Sequence, residues 1–413
     1  MRKQDERPSM NKVRLGLIGF GLCLGLVSAE LLARVFPTSA SAALRLGAFI
    51  ESERGKFCRY DAGLGWDGLP NADADFEWVD CRCHVRQNAC GYRDHAVPLA
   101  RGAARRILVL GDSFVWGFGV NEPQLLTAVM RQGAREPLEV VNLGVSGYGT
   151  DQELLLWRQK GRQWRPDVVL VFFSIDNDLL DISNTNRYGY SKPAFVLNPA
   201  GQLQLLNTPV PQPAAPWNPA ADAFHPSGHE PLRQLVRHSA LARCCIAASL
   251  RWTRWRTFLE KNWIVPPQAA VGGSDNLIPF QVPYDAEVTN AWQLLSGMLR
   301  TLHEEAHSQG ARLVLVSVPT RAQVYARWRT EIMQGMPLPQ GKRWDWEEPN
   351  RQLAGLARKS GIPFLDLLPG LQHAAQKDAY LYFPYNLHWT AAGHAVVAAL
   401  VADFLSTSNP PPP

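Results

Sequence analysis

From Arg106 onward the chain alternates between apolar strand runs and amphipathic helices. "RILVL" is followed by the helix "EPQLLTAVMRQG", the strand "LEVVNLG", the helix "TDQELLLWRQKGRQW" and the strand "PDVVLVFF". After an interruption over residues 183–283 the pattern resumes with the helix "AEVTNAWQLLSGMLRTLHEEAHSQG", ended by Gly310, and the strand "ARLVLVSVP", ended by Pro319. A helix "EEPNRQLAGLARKSG", a strand "IPFLDLL" and a closing helix "TAAGHAVVAALVADFLS" complete the series. The strands are continuous Val, Leu, Ile and Phe runs, so helices must cover both faces of the sheet. The expected fold is α/β, a doubly wound and mostly parallel sheet. In such sheets function gathers beyond the carboxyl ends of the strands.

The 413 residues, 46% of them hydrophobic, suffice for one large core or two ordinary ones. The net charge of +5 is concentrated at the start, where Arg2, Lys3, Arg7, Lys12 and Arg14 outweigh Asp5 and Glu6. The nearly neutral remainder lacks the basic face that phosphate binding needs, and no nucleic-acid partner is expected. Directly after this charge comes "LGLIGFGLCLGLVSAELLARVF", apolar except for Glu30 and Arg34, which pair four apart on a helix. The run reads as an uncleaved signal anchor over residues 1–37, and "VSA" before Glu30 leaves secretion after cleavage as the alternative. Either way the basic flank stays cytoplasmic and the rest of the chain is expected outside the membrane.

Downstream lie Cys58, Cys81, Cys83, Cys90, Cys244 and Cys245, for which at least one disulfide is expected in an oxidising compartment. "CRCHVRQNAC" brings Cys and His together but matches no common structural zinc spacing, and neither metal nor cofactor is expected. Within the interruption, "AFVLNPAGQLQLL" reads as a hairpin and "TPVPQPAAPWNPA" as a connector. A helix follows near "PLRQLVRHSALARCCIAASLRWTRWRTFLEKNW". Its arginines and tryptophans suit a membrane interface, an anionic acyl substrate or simply a solvated cap.

Four loops at one end of the sheet hold groups that could act together. Ser113, in "GDSFVWGFGV", stands in a tight turn between strand and helix, and as a lone tripeptide it is equally an N-cap. "NLGVSGYGTDQ" carries closely spaced glycines whose N–H groups can approach a ligand oxygen. "FFSIDNDLLD" offers the Asn177 amide, and "YFPYNLHWTAAGH" places His388 before the last helix.

In these four blocks the chain resembles the SGNH (GDSL-type) hydrolase superfamily over residues 106–405, apart from the interruption. The resemblance implies a flavodoxin-like SGNH hydrolase fold, to which the sequence adds the N-terminal membrane helix and an inserted cap at about 183–283. The rest of the chain reads as an extension over 38–105 and a proline-rich tail over 406–413. The resemblance assigns Ser113 as nucleophile and His388 as general base, with the amides of Ser113 and Gly144 and the Asn177 side chain as oxyanion donors. The third block carries an extra residue, so Asp176 competes for the asparagine slot, but a carboxylate cannot stabilise an oxyanion. The family's orienting aspartate is replaced by Asn386, with Asp366 and Asp178 as other candidates for that role.

"GDSFVWGFGV", "NLGVSGYGTDQ" and "HWTAAGH" look like membrane-anchored bacterial members and periplasmic acetyltransferases that modify exopolysaccharides. The expected activity is hydrolysis of an acyl ester or acylated carbohydrate on the external face of the bacterial inner membrane. Transfer of the acyl group to a polysaccharide and non-catalytic carbohydrate binding are the alternatives.

Overall fold

The computed structural model describes residues 10–36, 53–78, 81–187, 190–212, 235, 239–249, 255, 274–335, 338–377, 380–383 and 386–407. Two compact units divide the chain: residues 51–224 with 271–413, and residues 1–50 with 225–270.

The larger unit is built on five parallel strands, β1 (Arg105–Gly111), β2 (Leu138–Gly144), β3 (Val168–Ser174), β4 (Arg312–Val318) and β5 (Phe364–Asp366). Their spatial order is β2-β1-β3-β4-β5. This is the doubly wound order in which the chain turns back between β1 and β3, opening a crevice beyond their carboxyl ends. The pleat sends alternate residues to opposite faces. Leu108, Leu110, Val169, Val171, Leu313 and Leu315 pack with helices α2 (Thr150–Gln159), α3 (Ala286–Ser308) and α4 (Glu348–Lys359). Ile107, Val109, Leu170, Phe172, Val314 and Val316 pack on the other face with α1 (Leu126–Gly133) and α5 (Ala391–Thr407).

The helix-rich pattern expected from the sequence is therefore present, with two differences. "IPFLDLL" gives a strand of only three residues, because Leu368–Ala375 is a helix whose first turn contains Pro369, a residue preorganised for helix starts. Ala326–Gly335 is also helical. Its mixed, polar sequence carries no strong period.

Residues preceding the sheet belong to the same unit. Two antiparallel hairpins, Cys58–Asp61 with Gly65–Gly68 and Asp73–Trp78 with Cys81–Arg86, lead to Arg93 and Asp94. The buried Arg93 guanidinium donates to the carbonyls of Trp116, Gly117 and Val120. Asp94 accepts from the Asn142 N–H at 3.0 Å and from Arg131 at 2.7 Å. The extension thus braces the loop that follows β1 and, through Asn142 and Arg131, β2 and α1. The inserted hairpin pairs Ala194–Leu197 with Leu203–Leu206, as its sequence suggests.

All seven cysteines are thiols, so the expected disulfide is not formed. Cys58 and Cys83 are buried in apolar clusters and act there as small hydrophobes. His84 pairs with Asp73 and Asp75 across its hairpin rather than joining the cysteines.

In the smaller unit, the helix Met10–Val35 contains one segment, Leu17–Val35, long and apolar enough to cross a membrane, with a mean hydropathy of 1.7. Glu30 pairs with Arg34 at 2.8 Å. Its carboxylate also accepts from Ser239 Oγ and from the N–H groups of Ala240 and Leu241, capping the helix Ala240–Ser249. The proline-rich connector beyond residue 212, most of the arginine- and tryptophan-rich stretch, the first nine residues and the last six lie outside the described residues.

Candidate active site

β1 ends at Gly111, where a Cβ would lie 2.3 Å from Val115 Cγ2, so the turn needs glycine. Asp112 then caps the short helix Ser113–Trp116 by accepting the Phe114 N–H at 2.9 Å. Its second oxygen accepts from Asn177 Nδ2 at 3.1 Å, linking the end of β1 to the loop after β3. Burial pushes the Asp112 carboxyl up to about 6 against the pull of these two hydrogen bonds. The turn leaves Ser113 at the edge of the crevice, 7% exposed.

His388 comes from the loop before α5. A bridge between Tyr382 and Trp389 and a bond from the Phe383 N–H to the His388 carbonyl, 2.8 Å long, close that loop. Leu387 takes a left-handed conformation, φ 67°, which non-glycine residues adopt at a cost and which commonly marks functional loops. The twist lets Asn386 Oδ1 accept the His388 N–H at 2.9 Å and face Nδ1 at 3.2 Å. On the other side of the ring, Nε2 lies 2.7 Å from Ser113 Oγ. The Asn386 amide nitrogen in turn donates to Cys81 Sγ at 3.3 Å.

Phe118 stacks on the imidazole at 4.3 Å and 13°, and Phe114 packs at 4.9 Å. Burial pushes His388 down to about 3, so the ring is neutral at pH 7. A hydroxyl bonded to a neutral imidazole is the arrangement that general-base activation of an oxygen nucleophile requires.

The two other carboxylates considered for orienting this histidine are held elsewhere. Asp366 accepts from Ser317 Oγ, Asn350 Nδ2 and the Leu368 N–H at 2.7–3.0 Å. Asp178 accepts the Ser174 N–H at 2.7 Å, and its carboxyl is pushed up by burial and by Asp112 and Glu153. Among the described residues, no carboxylate contacts His388. The neighbouring Asp176 takes the Ser174 hydroxyl at 3.3 Å.

Gly144, expected as an oxyanion donor, has a hydrogen-bond partner within the protein. Its N–H is spent on Asn142 Oδ1 at 2.8 Å. The glycine is needed for close approach, since a Cβ would lie 2.4 Å from Trp116 N and 2.6 Å from Val115 C, both backbone atoms. Gly144→Ala should therefore destabilise the protein by about 1–3 kcal/mol. A urea melt checks this, and an unchanged midpoint would contradict it. Three residues on, Gly147 turns the loop with φ 78°. The N–H groups of Gly147 and Ser113 have no partner among the described residues.

Several supports left no legible motif. The rings of Phe114 and Phe118 follow the serine in "FVWGFG", yet nothing in their spacing says that they clasp a histidine 270 residues away in sequence or more. Cys81 reaches Asn386 from a hairpin 305 residues away in sequence.

No curated protein sequence matches the chain. Solved structures similar to it include a lipase/acylhydrolase from Enterococcus faecalis, 12% identical over 75% of this chain and 100% of that one, with a TM-score of 0.34. An acetylxylan esterase from Geobacillus stearothermophilus, solved as a catalytic mutant, is 12% identical over 75% and 97%, with a TM-score of 0.35. The sequence model of the GDSL-like lipase/acylhydrolase family matches residues 109–396. That span runs from within β1 to within α5 and takes in both Ser113 and His388; the chain belongs to the GDSL-like lipase/acylhydrolase family and is an enzyme acting on ester bonds.

Proposed function

We propose that this enzyme is a metal-independent serine acyl-ester hydrolase in which Ser113 is the nucleophile and His388 the general base. The 2.7 Å contact between Ser113 Oγ and the neutral His388 Nε2 carries the assignment. Oγ attacks the ester carbonyl as its proton passes to Nε2, and the imidazolium then protonates the leaving alcohol. Water, activated by the same ring, releases the acyl group. The developing oxyanion is received by the N–H groups of Ser113 and Gly147 and by Asn177, whose amide is aimed by Asp112. Asn386 Oδ1 accepts a hydrogen bond from Nδ1–H and so keeps Nε2 free to act as base.

Purified protein should hydrolyse p-nitrophenyl acyl esters, and a series of chain lengths would define the acyl group. Adding a polysaccharide acceptor separates hydrolysis from O-acyl transfer, which passes through the same acyl-enzyme. Absence of turnover on every ester, with or without acceptor, would overturn the reading.

The substrate is placed outside the inner membrane. Support comes from the basic residues before Leu15 and from the apolar segment Leu17–Val35. A periplasm-dependent reporter fused after Pro37 is expected to be active. An inactive reporter, with the N-terminus protected from protease added on the cytoplasmic side, would contradict this topology.

A further inference from the structure

Resting on the Ser113–His388 reading above, we propose that Cys81 is a positioning residue for the reaction, fixing which way round the Asn386 amide faces His388. A carboxylate has two equivalent acceptor oxygens and cannot be presented the wrong way. A carboxamide can. With Oδ1 toward the ring, Asn386 accepts a hydrogen bond from Nδ1–H, and Nε2 keeps the lone pair that takes the Ser113 proton. Turned by 180°, Asn386 would donate to Nδ1 and drive the proton to Nε2, where the ring could no longer act as base toward Ser113.

Two contacts select the productive orientation. The His388 N–H donates to Asn386 Oδ1 at 2.9 Å, and Asn386 Nδ2 donates to Cys81 Sγ at 3.3 Å. The first belongs to the backbone of the histidine loop. The second comes from a separate hairpin, and it engages the half of the amide that distinguishes asparagine from aspartate.

The hairpin is held against the site independently of Asn386. Its partner strand buries Phe76 against Trp116 and Phe118, and Phe118 is the ring stacked on His388. A Cβ on Gly119, at φ 86°, would lie 2.8 Å from Cys81 Sγ, so the sulfur is packed directly beside the aromatic segment that follows Ser113. Cys81 is thus placed by packing, and Asn386 is placed by Cys81. The role differs from that of a redox or metal-binding thiol, since it uses the sulfur as a hydrogen-bond acceptor.

A double-mutant cycle tests the proposal. Cys81→Ala is expected to lower kcat roughly 3- to 10-fold, the size of one net hydrogen bond, with KM changed less than 2-fold. In the Asn386→Asp background the same substitution should leave kcat within 2-fold, because a carboxylate needs no choice of face. Cys81→Ser, which keeps an acceptor, should lose less than Cys81→Ala.

Equal losses in both backgrounds would make Cys81 a merely structural residue and overturn the proposal, as would an unaffected Cys81→Ala. Cys81→Val, which has bulk without an acceptor, reads the same cycle if the alanine variant does not fold. Failure of the underlying site assignment shows itself separately, as activity that survives Ser113→Ala.

Discussion

Replacing Ser113 with alanine is expected to lower kcat by about 10³-fold or more while leaving the thermal unfolding midpoint close to that of the parent. Among the described residues the Ser113 side chain hydrogen-bonds only His388 Nε2, so its removal strips the nucleophile without taking another support from the fold. The turn is held by other groups. Gly111 keeps its close approach to Val115, and Asp112 keeps its bonds to the Phe114 N–H and to Asn177. Ester-hydrolysis rates and a melting curve on the same preparation read both halves of the expectation. Turnover surviving in a folded variant would show that the chemistry belongs to another group.

Asn386→Asp is expected to raise kcat roughly 10- to 100-fold with little change in KM. In a serine enzyme, exchanging the orienting aspartate for asparagine costs about 10⁴-fold, part of it because the amide favours the wrong tautomer. Here Oδ1 already faces Nδ1, so that part of the loss is absent. What asparagine does not supply is charge to stabilise the imidazolium as it forms. A carboxylate at this position would favour protonated His388 and move its pKa upward from about 3. Since the neutral ring is the base, activity controlled by His388 falls on the acid side as the ring is protonated. The acid limb of kcat/KM in Asn386→Asp should therefore lie at higher pH than in the parent, even as the plateau rises. Asp366→Asn, by contrast, disturbs Ser317, Asn350 and Leu368 and should leave the plateau nearly unchanged. An unaltered rate and pH profile for Asn386→Asp would remove Asn386 from the mechanism.

The parts of the site that could be read in advance lie next to a strand end. Ser113, Asn177 and His388 each follow an apolar run or precede a strongly periodic helix, so the sheet's polarity alone brings them to one side. The contact between Asn386 and His388 was legible for a similar reason, being two residues long. Which glycine of "NLGVSGYG" spares its N–H was not legible. The answer depends on Asn142 folding its side chain onto Gly144, leaving Gly147 to turn the loop.

The short β5 shows the same limit at the level of secondary structure. "FLDLL" is equally apolar as strand or helix, and Pro369 decides where one gives way to the other. The extension was hardest to read, because its short hairpins gain their meaning from what they touch. Arg93 is an ordinary surface residue by type, yet it is buried beneath the carbonyls that follow Ser113. Composition does not tell the thiols apart either, since cysteine in a core and cysteine in a disulfide look alike in a sequence.

The central claim, that Ser113 is activated by His388 as an acyl-accepting nucleophile, is tested most directly by treating the protein with a fluorophosphonate and mapping the adduct by peptide mass spectrometry. One adduct per chain is predicted, on the peptide containing Ser113, with labelling lost in His388→Ala and slowed at a pH low enough to protonate the ring. An adduct on a different serine, or labelling of Ser113→Ala at the parent rate, would contradict the account.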